Sequence, residues 1–463
     1  MTHTLSVDIE ALRSGMRGQT VSPDSADYDQ VRTVWNADID RRPALIILCE
    51  SPFDVASGLR FAQEHGLEVA VRGGGHSPGG DCTVDGGLVI DLRRMNRVSV
   101  DPVAKRARAG GGTLLADLDA ATQAHGLALP SGMISHTGIG GLTLGGGMGW
   151  LTRLGGLSSD NLVSAEVVTA DGSVLRASET QHPDLFWAIR GGGGNFGVVT
   201  EFEFRLHEVG PMVHFGLLFW GLDQGAEVLR IAREIIPTLP RTLNVLIGGL
   251  NAPPAPFIPE QHQGQPGYAL LIAGFGSEEE HAAAVAALSA QLPPTVEFVT
   301  PMPFVALQQL VDEANKWGQY NYVRSAYLAE LTDDAIEVIT DQVPKRTSPL
   351  SEMLFYRLDE AYCEVGDEDT AFGGQRTPGY TVFLIGDCPT PELLSVDRAW
   401  VRDSCQALLP HSEDTGSYLN GMTEYVEDRV LAAYGAKYPR LAQIKACYDP
   451  ENMFHRNPNI KPG

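Results

Sequence analysis

Basic residues are scarce in this chain: 34 Lys and Arg stand against 58 Asp and Glu, a formal net charge of −24. A surface of that sign repels phosphate backbones and anionic bilayers, which argues against nucleic acid and membranes as partners. The six cysteines, Cys49, Cys82, Cys363, Cys388, Cys405 and Cys447, show no Cys-x-x-Cys spacing. Neither a zinc site nor a disulfide framework is therefore expected, and no metal is assigned. No apolar run reaches the roughly 18 residues that a membrane helix needs. The opening MTHTLSVDIEALRSG lacks a basic segment followed by an apolar core, so a cytoplasmic protein is the expectation. No internal repeat stands out. What is present is length and glycine. A chain of 463 residues exceeds one core of ordinary size, so two domains are expected. Several of its 51 glycines fall in three dense runs, and the rest of the chain is organised around these.

The first run, VRGGGHSPGG over residues 71–80, follows a short apolar strand. Its glycines let the backbone turn sharply and leave N–H groups bare, a nest for an anion such as a diphosphate, with Arg72 adding a fixed positive charge. It is not the dinucleotide fingerprint GxGxxG, because neither a helix-forming run nor a suitably spaced acidic residue follows. It also lacks the Gly-Lys-Ser/Thr of a Walker loop. The second run, PSGMISHTGIGGLTLGGGMG over residues 130–149, interleaves Ile, Leu, Met and His with glycine. A flexible linker would not do so; a backbone that closely approaches a flat ligand would. The third run, GGGGNFG over residues 191–197, leads into the alternating strand VVTEFEFRL. Phe186, Trp187, Phe202 and Phe204 around it are assigned to core packing.

Periodicity predicts a short amphipathic helix over residues 8–17 and a second helix starting near Asp24, together a lid over the first domain. ALIILCE from Ala44 reads as a buried strand, followed by a helix capped by Ser51 with Pro52 at its start. GLVIDL and VSVDPVAKRARAG read as strands, and a capped helix is expected over residues 113–125. LSSDNLVSAEVVTADGSVLRAS gives a loop, a strand, an Asp-Gly turn and a strand. From about Val209 the pattern changes: HFGLLFW, NVLIGGL, YALLIAGF, SAYLAEL, SEMLFYRLD and YTVFLIGD alternate with helical stretches such as SEEEHAAAVAALSAQL and DDAIEVITDQV. That predicts a large antiparallel sheet backed by helices on one face. NAPPAPFIPE is expected as a surface loop. The fold class is α+β.

Taken together and in order, RGGGHSPGG, SHTGIGGLTLGGG, GGGGNFG and the ending YDPENMFHRNPNIKPG resemble the berberine-bridge-enzyme-like FAD-linked oxidases of the vanillyl-alcohol-oxidase type. The resemblance covers nearly the whole chain. It implies a PCMH-type FAD-binding domain of two α+β subdomains over residues 1–208, a substrate-binding domain with the large antiparallel sheet over 209–412, and a C-terminal return to the first domain over 413–463. It also implies FAD attached covalently to His76. Members with a second, cysteinyl link carry that cysteine where Met133 or Ile134 stands here, so attachment through His76 alone is expected. The cofactor contacts carried over are Arg72, Gly73, Gly74, Gly75, His76, Ser77 and Gly80 from the first run. Gly132, Met133, His136, Thr137, Gly140, Gly141, Gly146 and Gly149 come from the second. Asp160, Asn161, Gly197, Val198 and Val199 follow, then Tyr418, Asn420, Asn457 and Asn459 near the end.

The resemblance further implies three catalytic positions. Thr137 matches a threonine near the flavin's reactive nitrogen in oxygenating relatives and would govern oxygen access. Tyr418, in SYLN, matches a tyrosine over the flavin's open face, and Tyr356 falls where plant members place a glutamate base. A tyrosine titrates near 10, so one serving as base needs a neighbouring cation. Arg357 alternates to the other face of its strand, which leaves that cation unidentified. The implied activity is an oxidase that takes a hydride from a small-molecule alcohol or amine, a secondary metabolite or sugar-like compound, and passes electrons to O2. The protein would act as a monomer or homodimer. Bacterial members with the second run include amine oxidases resembling 6-hydroxy-D-nicotine oxidase and also polyketide-pathway oxygenases such as the enterocin oxygenase. A flavin-dependent oxygenase, and a non-oxidase flavoprotein or NAD(P)H-dependent reductase, are therefore the alternatives.

Overall fold

Short apolar strands come first in the chain and pair across the helix between them. The computed structural model describes residues 9–412 and 416–463. Strands β1 (Gln19–Val21), β2 (Leu45–Leu48), β3 (Val69–Arg72) and β4 (Leu88–Asp91) form a sheet in the order β1-β2-β4-β3, with β4 parallel to both β2 and β3. LIIL and LVID are buried along their whole length, as parallel strands covered on both faces must be. Helix Pro52–His65 packs on this sheet; the Ser51 side chain accepts the Asp54 N–H, and Gly66 ends the helix in the left-handed region.

Next come β5 (Val98–Asp101), β6 (Arg106–Gly110), β7 (Leu127–Ala128), β8 (Leu162–Val168), β9 (Val174–Ser178), β10 (Val198–Arg205) and β11 (His207–Glu208). They build an antiparallel sheet in the order β5-β6-β10-β8-β9 and a small β7–β11 pair. Phe186, Trp187, Phe202 and Phe204 are buried in the core beneath it. The C-terminal helices Glu427–Tyr434 and Tyr438–Tyr448 join the same core through Val430, Tyr434 and Leu441. Asn195 fastens that return: its Nδ2 donates to the carbonyls of Gly192 and Pro458, and its Oδ1 accepts the Ile460 N–H.

The remaining strands are β12 (Met212–Gly221), β13 (Leu243–Asn251), β14 (Pro266–Gly274), β15 (Val296–Pro303), β16 (Tyr320–Leu328), β17 (Glu352–Leu358) and β18 (Gly379–Cys388). They form one antiparallel sheet of seven strands in the order β15-β12-β14-β13-β17-β18-β16. Helices Gly225–Ile235, Glu278–Gln291, Asp333–Gln342 and Pro391–Leu408 bury Leu229, Leu288, Ile339 and Val401 against one face, where Val245, Ile272, Phe355 and Val382 receive them. The opposite face turns toward the first two sheets, and this orientation positions the site.

Four local features correct or refine the expectations. The segment read as a lid is part of the first sheet: β1 pairs with β2, and Val21, Tyr28, Val31 and Trp35 are buried. The helix expected over residues 113–125 spans Leu115–Gln123 and has no side-chain cap; Thr113 Oγ1 is buried without a partner among the described residues. Strand β15 went unpredicted because Pro301 and Pro303 interrupt it; it is an edge strand, where proline is tolerated. NAPPAPFIPE is a loop, but Ala252 and Ile258 are buried against the large sheet. The first residue of the helix expected from residue 8, and residues 413–415 at the start of the expected third segment, lie outside the described residues.

Candidate active site

Glycine brings the first two runs into backbone contact. A Cβ on Gly74 would lie 2.3 Å from the Gly138 nitrogen, and one on Gly138 would lie 2.2 Å from the Gly74 nitrogen, so no larger residue fits at either position. Along this seam Gly73, Gly74, Gly75, His76 and Ser77, with Gly132, Met133, Thr137, Gly140 and Gly141, line a cavity of about 400 Å³. Gly197 and Val199 from the third run, and Asn457 and Pro458 from the C-terminal return, line it too. A long cavity walled by bare backbone suits a flat ring system with a polar tail.

His76 stands half-buried in this wall. Trp35 stacks on it with ring centroids 4.2 Å apart, and its Nε2 is 3.1 Å from Nδ1 of His136. Removal from water, with His136 acting in the same direction, lowers His76 to about 3, so the imidazole is neutral at physiological pH. His136 is lowered as well by burial, against the field of Asp312. Its Nε2 is buried without a partner among the described residues. Asp312 accepts the Ser135 N–H at 2.8 Å and the Ser135 hydroxyl at 2.6 Å, which fixes the turn carrying His136. Met133 and Ile134 reach the cavity from the second run. The cysteine that lines it is Cys82, whose thiol burial holds up and therefore protonated.

Tyr418 and Asn420 enter from the C-terminal return and Tyr356 from the large sheet, all lining the cavity. The Tyr418 hydroxyl accepts two hydrogen bonds, from the Gly147 N–H and from Asn420 Nδ2, each at 2.9 Å. Burial raises Tyr418 to about 12 in spite of these two donors. Burial also raises Tyr356, and the nearby Glu352 adds to the effect. The cation that a tyrosine base requires does not act on either residue among the described ones. Both are phenols at neutral pH. Arg357 pairs with Asp359 at 2.8 Å and stacks over Tyr380, away from the cavity.

Several residues carried over as cofactor contacts lie elsewhere. Arg72 does not serve as an anion-binding charge: its guanidinium donates to the carbonyls of Val31, Arg32 and Cys82 and lies 3.5 Å from Asp91. Asp160 is held by Arg376 at 2.7 Å, and Asn161 by the carbonyls of Gly155 and Leu157 and by His207; both order the turn before β8. Val198 points into the core of the first sheet. Gly80 packs on Ile39, Gly149 on the Ser131 carbonyl, and Gly146 against Phe372 and Tyr418, so these glycines serve close packing behind the wall. Asn459 faces a separate pocket beside Arg41 and Lys461. Conversely, sequence reasoning missed Trp35, Asp312 and Glu352. For Glu352 a signal existed: it lies four residues before Tyr356 on one strand, and an even spacing puts both on one face.

The FAD binding domain family matches residues 43–178, and the berberine and berberine-like family matches residues 417–461. The (R)-6-hydroxynicotine oxidase of Paenarthrobacter nicotinovorans is 32% identical over 460 residues, spanning 96% of this chain and 97% of that protein. The chain belongs to the berberine-bridge-enzyme-like FAD-linked oxidoreductases. An FAD-linked oxidoreductase of Dictyostelium discoideum is likewise 32% identical, over 95% of this chain and 93% of that one. Among solved structures of this kind, 6-hydroxy-D-nicotine oxidase from Arthrobacter nicotinovorans superposes with a TM-score of 0.86 at 29% identity, covering 97% of this chain and 98% of that one. The xylooligosaccharide oxidase of Myceliophthora thermophila C1 shares the fold, with a TM-score of 0.86 at 22% identity over 98% of this chain and 99% of that one. As a berberine-bridge-enzyme-like protein the chain is an FAD-dependent oxidoreductase, and its own residues fit that cofactor: the Gly74–Gly138 seam leaves room only for backbone beside a flat ring. No helix among the described residues is long and apolar enough to cross a membrane.

Proposed function

We propose that the protein is an oxidase that takes a hydride from a small-molecule alcohol or amine onto FAD held covalently through His76 alone, and delivers the electrons to O2. The observation that supports this reading most directly is the neutral, half-buried imidazole of His76 set in a glycine-built cavity wall. A neutral imidazole would have a lone pair with which to hold the flavin, Met133 and Ile134 offer no thiolate for a second link, and burial keeps the thiol of the cavity-lining Cys82 protonated. FAD when bound supplies the hydride acceptor and the route of the electrons to oxygen. The chain's part is placement. With its oxygen already accepting from Gly147 and Asn420, Tyr418 has its O–H left to offer the cavity, where it would orient the substrate's oxygen or nitrogen; Tyr356 walls the same space. Thr137, on the cavity lining beside His136, would meet the approaching oxygen.

Relatives named for 6-hydroxynicotine and for oligosaccharides mark two substrate chemistries within the family. Mixing the purified protein with a substrate panel without oxygen tests the reading. Bleaching of the yellow colour, followed by one hydrogen peroxide per substrate when air is admitted, is the expected outcome. Incorporation of labelled oxygen into the product would instead establish an oxygenase. Bleaching by NADPH alone would establish a reductase.

A further inference from the structure

The wall contributed by the large sheet has a composition that narrows the substrate. Strand pairing sets Glu352 opposite Ile385, Leu354 opposite Phe383 and Tyr356 opposite Leu246, and residues two apart on a strand share a face. All of these line the cavity. Within this largely apolar surface Glu352 is the one carboxyl, and among the described residues it has neither a hydrogen-bond nor an ion-pair partner. The cation whose field reaches it, Arg346, is engaged elsewhere, donating to the Val343 carbonyl and to Asn251 Oδ1. On the neighbouring strand Asp387 is 2% exposed, and its Oδ1 also lacks a partner among the described residues. Burial raises Glu352 to about 7, against the pull of Arg346, as is expected of a carboxylate whose compensating charge is missing.

A cationic nitrogen would supply that charge. An oligosaccharide would not: it carries no cation for Glu352, and the hydroxyls around its ring edges that became buried against Leu246, Leu354, Phe383 or Ile385 would lose their water without replacement. We propose that this site takes a small, apolar, ring-bearing amine whose protonated nitrogen is received by Glu352, and that it discriminates against oligosaccharides. This rests on reading the cavity as the substrate site of an oxidase.

The test is an anaerobic titration of the holoenzyme at about pH 8, following perturbation of the flavin spectrum by N-methylbenzylamine, by its neutral isostere benzyl methyl ether, and by cellobiose. The amine is expected to bind about tenfold to a hundredfold more tightly than the ether, the usual worth of a charge-assisted contact, and cellobiose more weakly than either. Glu352→Gln should bring the amine-to-ether ratio close to one and leave the ether's affinity unchanged. Equal affinities in the wild-type protein overturn the proposal without recourse to any variant; so does a ratio that survives Glu352→Gln, or tighter binding of cellobiose. Bleaching is scored separately. Glu352-dependent amine binding without bleaching would sink the oxidase reading and keep this one, whereas bleaching by cellobiose in both proteins would keep the oxidase reading and sink this one.

Discussion

The cavity has two walls made in different ways. One is backbone: contiguous glycine runs whose contact at Gly74 and Gly138 admits no side chain. The other is side chains, gathered from strands β13, β14, β16, β17 and β18 and brought to one face only by their register. A backbone wall can serve one invariant ligand, the cofactor. A side-chain wall can be altered residue by residue without disturbing the sheet, and this is where the proposed function puts substrate choice.

That contrast can be broken at its strongest point. Gly74→Val would drive a branched side chain into the Gly138 backbone, which cannot yield as a flexible side chain would. We expect protein without flavin and a loss of about 3 kcal/mol or more in stability, read from flavin content and a denaturant melt. Leu354→Ala, on the sheet wall, should keep its full flavin content. If both variants lost flavin equally, the division between the walls would fail.

The same contrast explains what could be read in advance. The composition of the glycine runs marks a close approach to a ligand, while His76, Thr137, Tyr418 and Asn457 follow from the resemblance of the strings that hold them; these four line the cavity. Arg72 was misjudged because a string does not show which way a side chain leaves the strand, and the carbonyls of Val31 and Arg32 claim its guanidinium. Asp160 misled in a similar way, since its partner Arg376 lies 216 residues away. Trp35 reaches the site from a loop and Asp312 from a single 3-10 turn, neither carrying a motif, and β15 was hidden by its two prolines. Glu352 was overlooked because the resemblance points to Tyr356 alone, although the alternation of their shared strand sets both on one face.

Smaller effects sharpen the comparison. Tyr418 belongs to the C-terminal return and bridges the walls. Tyr418→Phe should slow flavin reduction by roughly tenfold in stopped-flow measurements, below the hundredfold or more that a positioned base is worth. A loss of a hundredfold or greater would restore the tyrosine as the base. Replacing Thr137 with leucine should slow reoxidation severalfold and leave reduction alone; an unchanged reoxidation rate would leave Thr137 only its turn-forming role.

The smallest effect is expected away from both walls, where Glu424 joins the C-terminal return to β16. Partial burial raises this carboxyl, but hydrogen bonds from Tyr322, Arg402 and Arg324 outweigh that and bring it to about 2. Because the folded value lies below the ordinary 4.5, the stabilisation is present above that pH and is lost as pH falls from there toward 2. Glu424→Gln should flatten the acid dependence of the melting temperature in this window. The change should be modest, since the group is partly exposed, and flavin content should not change. An acid dependence identical to wild type would remove Glu424 from the link.

The central claim, a backbone wall built to carry FAD bonded to His76, is tested most directly by the intact mass of the protein under denaturing conditions. A polypeptide heavier by one FAD, with the excess absent in His76→Ala, is the expected result. Wild-type protein at the bare polypeptide mass, with its yellow colour released on denaturation, would contradict it.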